Sequence, residues 1–175
     1  MWTALALPPT AMADHFERLG LPRRFSVDPV ALEAAYLAAS REAHPDFHAL
    51  GTAAERDASL HDTAAVNQAY LALNDPFRRA EYLLGLLGGP TATLQKDMTQ
   101  AFLMEMMDLR EQIETLTRSG DEAKLATMEA GLNARLAGVF ATVGKLFEAE
   151  PVPLVGIRRE LNAAKVVKGL LRDLR

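Results

Sequence analysis

The chain contains no cysteine. Disulfides, thiol catalysis and a cysteine-ligated zinc or iron–sulfur centre held by this chain alone are therefore excluded. Strand signals are as scarce, with no sustained period-two alternation and no Asn-Gly or Asp-Gly hairpin turn. No apolar run approaches the ~18–20 residues that a membrane span requires. There is no basic excess: 19 Lys and Arg stand against 23 Asp and Glu, a net charge of -4, which gives no support to phosphate-backbone binding. Met1 to Ala13 carry no Lys/Arg cluster and only a brief apolar patch, so no signal peptide is expected. Residues 1–13 read as a flexible tail, with Met12 as an alternative start.

What remains is the composition of a soluble globular protein. Apolar residues make up 49% and charged residues 24% of 175, enough to bury a core in one large domain or two small ones. Helix starts are plentiful. Asp14 with Glu17 and Thr52 with Glu55 each have capping-box spacing. Asp28-Pro29 and Asp75-Pro76 each place a capping carboxylate before a proline suited to the first helical position. Asp97 with Gln100 reads as a further start, and Ser119-Gly120-Asp121 ends that helix and caps the next. The pattern predicts an all-helical chain: a short turn at 14–19, then helices at 28–43, 52–73, 76–87, 97–118, 121–148 and 153–174. Gly88-Gly89-Pro90, followed by Thr91-Ala92-Thr93, is the clearest linker.

His44-Pro45-Asp46 falls between the second and third helical stretches. Proline opposes helix at its own position and at the residue before it, so the tripeptide must form a corner. Such a corner offers an imidazole and a carboxylate to solvent. A merely polar turn is the plain reading, and contact with a partner is the alternative. His44 and His48 have the spacing of a helical metal pair, but Pro45 breaks that geometry and no metal is expected. A general-base role lacks a nucleophile nearby. Leu32, Tyr36 and Ala39 on the second helix, and Val66, Tyr70 and Leu73 on the third, form stripes expected to pack on each other with both tyrosines as core. On the helix from Asp97, the residues Phe102, Met106, Leu109, Ile113 and Leu116 form a core stripe. Leu103 and Met107 point outside it, with Met104 beyond them and the acids Glu111 and Glu114 alongside.

Three segments resemble a DnaJ-type J-domain: Asp14–Pro22, His44-Pro45-Asp46 and Asn67-Gln68-Ala69-Tyr70. A fuller resemblance, over about residues 14–175, is to the HscB family, the J-domain co-chaperones of iron–sulfur cluster assembly. It is carried by Val66-Asn67-Gln68-Ala69-Tyr70, by Arg79-Ala80-Glu81-Tyr82-Leu83-Leu84, and by the run from Ala101 to Glu111 (AFLMEMMDLRE).

The resemblance implies an all-α fold, with an N-terminal J-domain helical hairpin at 14–87, a linker at 88–96 and a C-terminal three-helix bundle at 97–175. It implies a non-enzymatic co-chaperone that uses no cofactor. The J-domain would stimulate the ATPase of a DnaK/HscA-type chaperone, with His44, Pro45 and Asp46 as the essential contact and Arg41 lending charge. The bundle would hold the iron–sulfur scaffold protein IscU through Leu103, Met104, Met107, Asp108, Glu111 and, in the last helix, Val166, where an aromatic is expected. The family's N-terminal cysteine metal site in eukaryotic members is missing here, which favours a bacterial, cytoplasmic form; a monomer is expected. Two features depart from the family: Phe47-His48 follow the tripeptide in place of a basic residue, and the second helix carries little positive charge. Slower or weaker docking than in a strongly basic homologue follows, since long-range attraction mainly raises association rates. Arg23, Arg24 and Arg41 are the cations available to supply it. A general J-protein, or a helical adaptor with a weakened J-domain, is the alternative.

Overall fold

The structure is a computed structural model that describes residues 13–44 and 52–174. Among the described residues it is all helical, with seven helices and no strand: α1 (His15–Arg18), α2 (Pro29–Glu42), α3 (Ala53–Asn74), α4 (Pro76–Leu86), α5 (Gln100–Ser119), α6 (Glu122–Phe147) and α7 (Leu154–Asp173).

Local chemistry fixes most of these ends. Asp14 accepts from the Glu17 N–H at 2.9 Å while the Glu17 carboxylate accepts from the Asp14 N–H at 3.1 Å, a reciprocal capping box. Thr52 and Glu55 repeat it at the start of α3, and Asp28 caps α2 with Pro29 in its first turn. Gly120, at φ 68°, ends α5 in the left-handed conformation that glycine adopts at least cost. Asp121 then caps α6. One start differs from expectation. The Thr99 hydroxyl, not Asp97, caps α5 by accepting from the Phe102 N–H at 3.2 Å. Asp97 is engaged instead by the Gln95 amide at 2.6 Å.

The described residues form two compact units, one of residues 13–23, 27–44 and 52–75 and the other of 24–26 and 76–174. In the first, α3 packs against both α1 and α2. Its apolar core includes Phe16, Leu32, Val66 and Leu73. Tyr36 and Tyr70 depart from the expected core role. Both are half-buried and stack on each other with ring centroids 4.2 Å apart. The Tyr36 hydroxyl donates to Asn67 at 3.0 Å and the Tyr70 hydroxyl to Glu33 at 2.6 Å. A phenol has one apolar body and one polar tip, so it settles at the edge of a core.

In the second unit, α7 is central. It packs against α4, α5 and α6, and Ile157, Leu161, Ala164, Val167 and Leu170 are fully buried. Met106 and Ile113 of α5 and Leu132 of α6 complete a cluster with Val167, Leu170 and Leu171. The contacts place α4 here rather than with the hairpin, because Ala80, Leu83 and Leu84 are buried and α4 packs on α6 and α7. The Gly88–Lys96 stretch is also tied to α7. Buried Arg158 donates to the Pro90 carbonyl at 2.9 Å and grips both carboxylate oxygens of Glu81 at 2.6 and 2.5 Å. Asn162 donates to the Gln95 carbonyl at 2.8 Å.

Candidate functional site

The first candidate surface begins at the C-terminal end of α2. Arg41 is exposed in the last turn, and His44 follows one residue beyond the buried Ala43, its N–H donating to the Arg41 carbonyl at 3.2 Å. Pro45, Asp46, Phe47 and His48 lie outside the described residues. The approach to the corner is held from α3. The Ala43 carbonyl, at a helix end where carbonyls lack intrahelical partners, accepts from both the Ser59 hydroxyl at 2.7 Å and the Thr63 hydroxyl at 2.8 Å. Ser59 is only 4% exposed. Sequence reading missed this pair. The one available signal was two hydroxyls a single turn apart, which solvent-facing helices also show.

Charge around this surface is thin. Arg23 pairs with both Asp14 and Glu17, so it is committed to holding α1. Burial pushes the Asp14 carboxyl up, but the Glu17 N–H and the Arg23 guanidinium outweigh it and leave the group below the usual carboxylate range. Burial also lowers the neighbouring His15, with Asp14 opposing. Arg41, exposed like Arg23, is the other cation of this unit expected to serve docking.

The second candidate surface is on α5. Met106 and Ile113 are buried, and Phe102 and Leu109 pack against the same cluster, so the expected core stripe faces the unit's interior. Opposite to it, Leu103 is 41%, Met104 59% and Met107 71% exposed. Asp108 and Glu111 are exposed beside them. At 100° per residue, these five positions span an arc of about 140°. An apolar strip of this kind with an acidic margin has the composition of a partner surface, where methionine adapts well. Val166 does not join it freely. It is half-buried and packs against the core cluster, because α7 is enclosed on most sides by its neighbours.

Beside the strip, α5 and α6 border an open groove of about 1210 Å³. At one end Arg135 of α6 forms a two-pronged ion pair with Glu105 of α5, one prong at 2.8 Å, and covers the Phe102 ring at 5.4 Å. That hydrogen bond holds the Glu105 carboxyl below its ordinary value and Arg135 above its own. Among the described residues, no cluster of three or more metal-ligating side chains occurs and no helix is long and apolar enough to cross a membrane.

Residues 98–168 match the family model described as the HSCB C-terminal oligomerisation domain. Co-chaperone protein HscB homologs of Bordetella pertussis and Bordetella parapertussis are each 38% identical over 139 residues, covering 79% of this chain and 81% of the relative. Among solved structures, chaperone HscB from Vibrio cholerae superposes with a TM-score of 0.81 at 30% identity, over 92% of this chain and 94% of that one. Human co-chaperone protein HscB gives 0.83 at 27% identity, over 95% and 82%. With curated relatives aligned along most of its length and the same helical fold in two solved structures, the chain belongs to the HscB family of co-chaperones.

Proposed function

We propose that this co-chaperone stimulates ATP hydrolysis by a DnaK/HscA-type chaperone and brings it the iron–sulfur scaffold protein IscU during cluster assembly and transfer, in the bacterial cytoplasm. The corner His44-Pro45-Asp46, flanked by Arg41, is the chaperone contact. The strip Leu103, Met104 and Met107, with Asp108 and Glu111, is the scaffold contact, and Val166 contributes only its uncovered edge. The protein supplies no catalytic group of its own to the hydrolysis. It presents a client and a trigger on one chain.

The observation that carries this reading is the outward apolar strip of α5. A helix that already buries Met106 and Ile113 has no structural use for two exposed methionines and a leucine side by side. Exposed apolar groups of this size bordered by acids favour a protein partner. The test is the scaffold affinity of the Leu103→Ala/Met107→Ala chain. Anchors of this kind contribute about 1–3 kcal/mol to binding, so affinity should fall roughly 5- to 150-fold with helicity unchanged. Unchanged affinity would remove the strip from the interface.

A further inference from the structure

We infer that the scaffold contact does not end at the outer strip of α5 but continues into the α5–α6 groove, which receives a basic, amphipathic segment of the scaffold protein. The inference rests on the proposed scaffold reading and extends it to a surface formed by a second helix.

Continuity is the first argument. Asp108 and Glu111 belong to the exposed α5 strip and also line the groove, so a partner seated on the strip already touches its rim. Shape is the second. Leu109 of α5 and Met128 and Leu132 of α6 line the groove, while Thr127 and Gly131 keep the α6 bank low. A side chain added at Gly131 would enter open space, with nothing within 4 Å of its Cβ. From Glu105 to Arg118 the groove follows about 20 Å of helix at 1.5 Å per residue, room for roughly three to four turns of a docked helix.

Charge identifies the occupant. The cations of the α6 bank are already neutralised, Lys124 by Asp121 at 2.8 Å and Arg135 by Glu105. Among the described residues, Asp108, Glu111 and Glu114 on the α5 bank have no such partner, and of the lining cations Arg118 alone offsets them. The groove is therefore negative along its rim and apolar below it. A segment combining Lys or Arg with an apolar face fits both features. A second copy of this chain fits poorly, since it brings the same acidic face and a net charge of -4.

The test compares scaffold affinity, measured calorimetrically with the full chain, for Gly131→Leu, Gly138→Leu, Glu114→Lys and Leu103→Ala/Met107→Ala. Gly138 is also an open position on α6 but does not line the groove. Both leucines improve helix propensity, so neither should unfold the protein. Gly131→Leu should weaken scaffold binding at least tenfold and Gly138→Leu should leave it within twofold. Glu114→Lys should weaken it several-fold, most at low salt. Parental affinity in Gly131→Leu, with loss in Leu103→Ala/Met107→Ala, would overturn the groove and leave the strip standing. Parental affinity in both would overturn strip and groove together. A Gly131→Leu chain that only shifted a dimer to monomer in sedimentation, with the scaffold still bound normally, would assign the groove to self-association and also overturn the inference.

Discussion

Removing the Glu81 carboxylate should be among the most damaging single changes in the second unit. Arg158 has a side chain only 3% exposed, and Glu81 supplies two of its three hydrogen bonds. Glu81→Ala leaves a guanidinium in the interior with the Pro90 carbonyl as its remaining partner. Breaking a buried ion pair from one side costs about 3–5 kcal/mol. The Glu81 side chain is 33% exposed. Water can therefore reach the vacated side, which places the cost near the low end, about 3 kcal/mol. With a urea dependence of about 2 kcal/mol/M, the midpoint falls by about 1.5 M. Arg158→Met removes the charge but keeps an apolar stem, and leaves Glu81 free to hydrate, so it should cost only about 1–2 kcal/mol. The double variant should then be more stable than Glu81→Ala alone, a coupling of about 2 kcal/mol in the cycle. Urea unfolding followed by circular dichroism gives all four corners. A Glu81→Ala chain within about 0.5 kcal/mol of the parent, the scatter of an ordinary surface change, or strictly additive losses, would refute the reasoning.

Two further predictions concern the first unit. Ser59→Ala with Thr63→Val strips both donors from the Ala43 carbonyl and should loosen the approach to His44. Chaperone stimulation at sub-saturating concentration should drop several-fold with scaffold affinity unchanged; equal stimulation would show that the corner needs no anchor. Acid should release α1 early. The folded Asp14 carboxyl lies below its unfolded value, so its contribution is complete above the usual carboxylate range and is lost as pH falls through the folded pKa. His15, also lowered, adds loss in the same direction on the way down from neutral pH. Amide exchange in α1 should accelerate on acidification, and Asp14→Asn, which retains a capping side chain, should flatten the acid part of that profile; an unaltered profile would assign it to other groups.

Much of the fold was legible because its signals are local. Caps at Asp14, Asp28, Thr52 and Asp121 need only neighbouring residues, and the Phe102–Leu116 stripe repeats along one helix. The α5 start was ambiguous, since Asp97 and Thr99 can both cap and only the Gln95 contact decides between them. The placement of α4 could not be read at all. It depends on a bundle core assembled from residues far away in the chain, and the Glu81–Arg158 pair joins positions 77 residues apart. Exposure of Leu103 and Met107 followed from the helical angle. The cover over Val166 did not, because a single-helix projection sees one stripe while α7 meets three neighbours. The groove was invisible for the same reason: Gly131 looks like a weak point in a helix until α5 lies across from it.

The central claim is that one chain both triggers a chaperone and delivers its client. The most direct measurement is the ATPase rate of the cognate HscA-type chaperone with this protein, with IscU, and with both. The account predicts a more-than-additive rise with both, abolished by Asp46→Ala while IscU remains bound. A rise indifferent to IscU would instead indicate a general J-protein, and no rise with IscU bound would indicate an adaptor; either result contradicts the claim.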